Sequence, residues 1–201
     1  MEIKEILERF KKDTRYHSIK IFHNDDLYRH LELSKNNSSA YCFDIVTWPG
    51  YLCISSDMGC FTFSRVTDMF RFFRDSSGEL SINPDYWAEK LKMGVEYNKE
   101  IYKEWSSDKF KDAVNEAFNN FIDDNDAISD DVLEEIKESI EEIISYSHDE
   151  YDAVSAIRDY DDKYDIFVDF WENDCMEYKF HYVWCLYAIV CGISKFDEQV
   201  E

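Results

Sequence analysis

Proline and glycine are scarce in this 201-residue chain, at two and five residues. So few chain breakers exclude a linker-like or low-complexity organisation, and a composition 45% hydrophobic and 17% aromatic excludes an unfolded polar chain. A chain of this length buries a substantial core without help from disulfides or metals. The six cysteines (Cys42, Cys53, Cys60, Cys175, Cys185, Cys191) lack any CxxC spacing, and five lie in apolar strand-like or helix-like patterns. They read as reduced thiols acting as small hydrophobes, which fits the cytosol. Long apolar runs are missing too. The longest, residues 180–193 (FHYVWCLYAIVCGI), is 14 residues and contains a histidine, short of the ~20 needed to cross a bilayer. It reads as a buried core helix, and the N-terminal MEIKEILERFKKDTRYH reads as an amphipathic helix rather than a signal peptide. No membrane association is expected.

Recognised catalytic motifs are also lacking. His17, His23, His30, His148 and His181 form no HExxH or HxH pattern, Ser55-Ser56-Asp57 lacks the flanking glycines of a nucleophile elbow, and no glycine-rich phosphate loop occurs. Only Arg65 stands near Cys42, Cys53 and Cys60 to lower a thiol pKa. No catalytic residue, metal or cofactor is therefore assigned, and the chain reads as a binder rather than an enzyme.

Basic residues are what the second half lacks. Residues 1–105 hold 15 Lys/Arg against 17 Asp/Glu, whereas residues 106–201 hold 7 against 27, so nearly all of the net charge of −22 lies in one half. The acidic segments carry regular apolar stripes, as in Leu133, Ile136, Ile140, Ile143 and Ile144. A disordered acidic tail would have no such stripes, so the charges are expected on the outer faces of packed helices.

Along the chain, a first helix (about 2–12) precedes a hairpin over 18–34 that turns at Asn24-Asp25-Asp26. Three more strands follow at 40–48, 51–56 and 60–65, separated by Pro49-Gly50 and by Asp57-Met58-Gly59. Gly59 is expected as the left-handed residue of a three-residue loop. Alternation puts Leu52, Ile54, Phe61 and Phe63 on one face, and a short helix over 66–74, capped by Thr67 or Ser64, is expected to cover it. Helices are then predicted over 83–93, 106–124, 129–147, 148–160, 163–172 and 176–197. The fold class is α+β: an N-terminal helix, a five-strand antiparallel meander and about six helices, including an acidic helical half. Two regions are expected, 1–105 and 106–201, with the C-terminal helix packing back on the core, or one single domain built from both.

Four stretches, FHNDDLYRHLELS (22–34), DIVTWPGYLCISSDMGCFTFSRVTDMFRFF (44–73), INPDYWAEKL (82–91) and FHYVWCLYAIVCGISKFD (180–197), cover about a third of the chain. In their order of turns and helix starts they resemble a family of small bacteriophage and prophage proteins with no settled biochemical activity. The chain departs from the family pattern at Ser56 (glycine), Asn36-Asn37 (Pro-Gly) and Cys185-Leu186 (a cysteine pair). The resemblance implies a mobile-element origin and transfers no catalytic residue.

Between Asp130 and Glu142 seven acids and one lysine span about 18 Å of helix, roughly one net charge per 3 Å. That approaches the spacing of about 3.4 Å per charge along a single nucleic-acid strand. The expectation is a phage- or prophage-encoded inhibitor of a host defence system, anti-CRISPR-like or anti-restriction, working in the bacterial cytoplasm. Its partner would be a basic nucleic-acid-binding host protein such as a CRISPR nuclease, with no direct contact to nucleic acid. The contact residues would be Asp130, Asp131, Glu134, Glu135, Glu138, Glu141, Glu142, Asp149, Glu150, Asp152, Asp159, Asp161 and Asp162. Two alternatives stand beside it: a metal-dependent or other enzymatic role at His23, His30, Asp44, Asp57 and Arg65, and an oligomerisation module anchored by Trp48, Trp87 or Trp105. The composition leaves the oligomeric state open.

Overall fold

The computed structural model describes residues 2–36, 38–92, 101–125 and 128–200. Met93, Asn37 and Asp126, which the sequence places in a helix, an inter-strand loop and a helix–helix link, lie outside them. The protein has the α+β fold expected: helix α1 (Ile3–Thr14), then five antiparallel strands in sequential order. These are β1 (Ser18–Asp25), β2 (Tyr28–Lys35), β3 (Ser38–Trp48), β4 (Tyr51–Ser56) and β5 (Gly59–Ser64). The chain falls into two compact units, one made of Met1–Tyr102 and Tyr178–Glu201, the other of Lys103–Glu177. The second unit thus opens three residues before the sequence boundary at 106, and the C-terminal segment belongs to the first.

In the first unit, period-two alternation puts Leu31, Leu33, Phe43, Ile45, Leu52, Ile54, Phe61 and Phe63 on one buried face. The C-terminal helix α7 (Phe180–Val200) lies against that face, and its residues from Tyr182 to Val190 are all buried. A helix apolar on nearly every side needs cover all round, and α1 and the short α2 (Met69–Phe73) supply it together with the sheet. The principal cover of the sheet is therefore α7, with α2 adding Met69, Phe70 and Phe73. Helix α3 (Pro84–Ala88) follows the Asn cap and N1 proline read from the sequence: the Asn83 side chain accepts from the Tyr86 amide at 3.2 Å.

Several local expectations are corrected. The cap of α2 is Asp68, not Thr67 or Ser64: its Oδ1 accepts from the Phe70 amide at 3.1 Å and from the Arg29 guanidinium at 2.8 Å. Ser56 pairs with Gly59 in the ladder, leaving a two-residue loop, Asp57-Met58. The Ser56 hydroxyl accepts from the Met58 amide at 3.0 Å and tightens the turn, while Gly59 keeps a φ of +124°. The first hairpin turns at Asp26-Leu27, later than expected, with Asp26 left-handed at φ +51°. A register shift between Ile21 and His23 lets Phe22 swing onto the outer face, where it stacks on His30 at 4.8 Å.

The second unit holds β6 (Lys103–Trp105), α4 (Ser107–Asp124), α5 (Asp130–Ser145), α6 (Glu150–Asp159) and β7 (Met176–Tyr178), whose last residue begins the return to the first unit. Neither short strand was expected, and β7 takes the place of the first turn predicted for the terminal helix. The helix expected over 163–172 does not form. Asp165 and Asp169 are left-handed, both at φ +57°, and the Asp162 carboxylate accepts from the amides of Ile166 (2.7 Å) and Phe167 (2.8 Å). Only a 3₁₀ turn, Phe170–Glu172, remains of it. The unit has its own core, including Phe110, Val114, Phe121, Ile136, Ile140, Ile143, Ala153, Ile157, Ile166, Phe167 and Phe170.

Candidate acidic interface

Helix α5 buries Ile136, Ile140 and Ile143, with Leu133 and Ile144 packed beside them, on the stripe read from the sequence. That stripe fixes the rotation of the helix. Asp130, Asp131, Glu134, Glu135, Glu138, Glu141 and Glu142 consequently all face outward and are exposed. Asp130 and Asp131 also occupy the first turn, where the helix dipole favours negative charge. Glu150, Asp152 and Asp159 are exposed on α6, and Asp161 on the loop beyond it.

Two of the thirteen expected contact residues are committed to local structure. Asp149 is exposed and caps α6, accepting from the amides of Tyr151 (2.8 Å) and Asp152 (3.3 Å). Asp162 is half-buried and holds the backbone of the irregular segment, as above. Among the described residues, none of the thirteen carboxylates lies within 4.0 Å of a lysine, arginine or histidine nitrogen. Of the unit's six cations, Lys103 bonds Asp174 at 2.7 Å, Lys109 donates to the Met176 carbonyl at 2.6 Å and Lys111 lies 3.9 Å from Asp108. Over Lys103–Glu177 the chain has 6 basic and 25 acidic residues, against 16 and 19 in the remainder.

Between α5 and α6 runs a groove of about 470 Å³ whose wall includes Glu142, Asp152, Asp159 and Asp161 with the rings of Tyr146 and Tyr160. Burial, reinforced by Asp162, Tyr164 and Asp161, pushes the Tyr160 phenol above its ordinary range. The Trp105 indole donates to the Ser147 carbonyl at 2.8 Å, and the Ser107 hydroxyl meets that of buried Ser147 at 2.9 Å. These bonds tie the start of α4 to the α5–α6 turn.

The tryptophans divide differently from the sequence reading. Trp87 is buried and Trp105 half-buried, so both serve cores, whereas Trp48 is partly exposed and stacks on Tyr51 at 5.2 Å. Trp171, 57% exposed, and Val168, 63% exposed, are exposed large apolar groups on the irregular segment of the second unit. Sequence reasoning missed them because a helix there would place Trp171 beside Phe167 and Phe170, one turn apart and facing the core. The left-handed aspartates instead turn it outward.

Of the hairpin residues, His23 and His30 are ladder partners and His30 Nε2 lies 2.8 Å from Asp44 Oδ1. Asp57 is engaged apart from them, its Oδ2 accepting from the Tyr41 amide at 3.2 Å, and Arg65 is exposed beyond the end of β5. No group of three or more His, Cys, Asp or Glu side chains gathers at metal-binding distances among the described residues. No helix among them is long and apolar enough to cross a membrane. Comparison with protein-family models, curated proteins and solved structures found no match.

Proposed function

We propose that this protein is a phage- or prophage-encoded stoichiometric inhibitor of a bacterial defence system, acting in the host cytoplasm without catalytic turnover. Its second unit occupies a basic groove that otherwise holds guide RNA or target DNA. The partner is a nucleic-acid-binding host protein. The observation that carries this reading is the set of carboxylates on α5, α6 and the following loop, exposed, held on packed helices and unpaired with any cation among the described residues. A fixed array of this kind attracts a basic groove over long range and repels nucleic acid and anionic membranes. Trp171, of a residue type enriched among interface anchors, adds exposed apolar area on the same unit, as does Val168. The resemblance of the strand and turn motifs to phage proteins supports the defence setting.

The test is capture from the lysate of a bacterial host on the tagged protein, with elution by rising salt and identification by mass spectrometry. The expected outcome is one nucleic-acid-binding effector, released by salt and competed off by its own RNA or DNA. A variant carrying Glu134→Lys, Glu138→Lys and Glu141→Lys should weaken capture by roughly tenfold or more, with its circular dichroism unchanged. Undiminished capture by that variant would rule out the mimicry.

A further inference from the structure

In the β4–β5 ladder Cys53 faces Thr62 and Ser55 faces Cys60, so the two cysteines are diagonal neighbours. Alternation sends both to the face turned away from the core, since Leu52, Ile54, Phe61 and Phe63 take the inner positions. Their sulfurs lie 3.7 Å apart, with Cys60 exposed and Cys53 half-buried. Cys175 and Cys185, by contrast, are buried. Burial and the adjoining Cys53 thiol push Cys60 above its ordinary range, so at neutral pH its resting form is a thiol. The pair sits in the first unit and takes no part in the acidic interface.

We propose that Cys53 and Cys60 form a reversible oxidation site, a cross-strand dithiol that a small-molecule disulfide such as glutathione disulfide converts to an intramolecular disulfide. Closing the gap from 3.7 Å to an S–S bond of about 2.05 Å requires the side chains to rotate and the two strands to draw together locally, since diagonal neighbours stand wider apart than directly opposed ones. Cys60, the exposed member, reacts first. Its thiolate attacks one sulfur of glutathione disulfide, forming a mixed disulfide and expelling one glutathione thiolate, which takes up the proton Cys60 lost. The Cys53 thiolate then attacks the Cys60 sulfur, forming the Cys53–Cys60 bond and expelling the second glutathione, which takes the second proton. Two electrons pass from the protein dithiol to the glutathione pair. Exposed disulfides are the readily reduced kind, so excess thiol reverses the step. The consequence is a covalent clasp across the hairpin that carries the Asp57-Met58 loop.

The sequence offers a direct readout, because Met58 lies between the two cysteines and cyanogen bromide cleavage there and at Met69 releases Gly59–Met69, whose one cysteine is Cys60. Reduced full-length protein is titrated with glutathione disulfide, its remaining thiols are blocked, and intact mass and fragments are measured. The expected product has lost two hydrogens, carries no glutathione, and keeps Gly59–Met69 joined to the fragment holding Cys53 until dithiothreitol is added. Cys42→Ser should behave the same, whereas Cys53→Ser should stop at the Cys60–glutathione adduct. Free release of Gly59–Met69 from the oxidised protein, a wild-type chain that halts at the adduct, or a bridge that survives Cys53→Ser would each overturn the assignment. Circular dichroism of both variants confirms that they are folded.

Discussion

Gly192 shows how one residue sets the closeness of two layers. A Cβ built there would overlap Ile45 Cδ1, with Leu33 Cδ1 and Phe43 Cε2 at 3.5 and 3.6 Å, so the glycine lets α7 settle onto β2 and β3. Those three side chains are fully buried and have little room to yield. Gly192→Ala should therefore destabilise the protein by about 1–3 kcal/mol, despite the better helix propensity of alanine. Urea unfolding followed by circular dichroism measures it, and a variant as stable as the parent would mean that α7 shifts freely. Asp68 works at the same scale. Burial pushes its carboxyl up, but the Arg29 guanidinium and the amides of Phe70 and Arg71 outweigh that effect and hold it below the usual range. One carboxylate thus caps α2 and pairs with β2, and Arg29 also lies 4.6 Å from the ring of Phe70.

At the scale of elements, α5 opposes its own stability. Asp131 and Glu135, Glu134 and Glu138, and Glu138 and Glu142 are like charges one turn apart, and its one basic residue is Lys137. Pairs of this kind destabilise a helix by a few tenths of a kcal/mol each. The stripe of buried isoleucines offsets them. Glu138→Lys replaces two repulsions with attractions and should stabilise the protein by about 0.5–1 kcal/mol. If α5 faces a basic groove, the same change should weaken capture of the partner. Denaturant midpoint and capture, measured on one preparation, are expected to move in opposite directions. A variant that is both more stable and equally effective in capture would assign the acids to solubility alone.

For the whole molecule, the governing fact is where the charge lies. The unit of residues 103–177 holds 25 of the 44 acids and 6 of the 22 bases, and the other unit is close to balanced. Self-repulsion of that size weakens as salt shortens the screening length, from about 30 Å at 0.01 M to about 3 Å at 1 M. The melting temperature should rise with sodium chloride over this range. The triple lysine variant of α5 should show a smaller rise, because less repulsion remains to be screened. Thermal melts at four or five salt concentrations decide it; equal slopes for the two proteins would place the repulsion elsewhere.

The five strands, the helices α1, α4, α5 and α6 and the rotation of α5 were all legible from residue order, because alternation, the 3.6-residue stripe and capping side chains act within one or two turns of chain. The exposure of the acids on α5 was legible for the same reason: once the isoleucines face inward, their neighbours on the helix must face out. What escaped depends on partners distant in sequence or on competing local bonds. Asp68 took the cap of α2 in an arrangement shared with Arg29 on β2, and the Asp162 carboxylate captured two amides that a helix over 163–172 would have used, exposing Trp171. Ladder register alone set Cys53 beside Cys60, and only the seating of α7 on the sheet explains Gly192. The sequence by itself determined the fold class, most of the elements and the side of each helix that carries charge. Tertiary structure decided which elements cover one another, because burial, register and shared hydrogen bonds are settled between segments far apart along the chain.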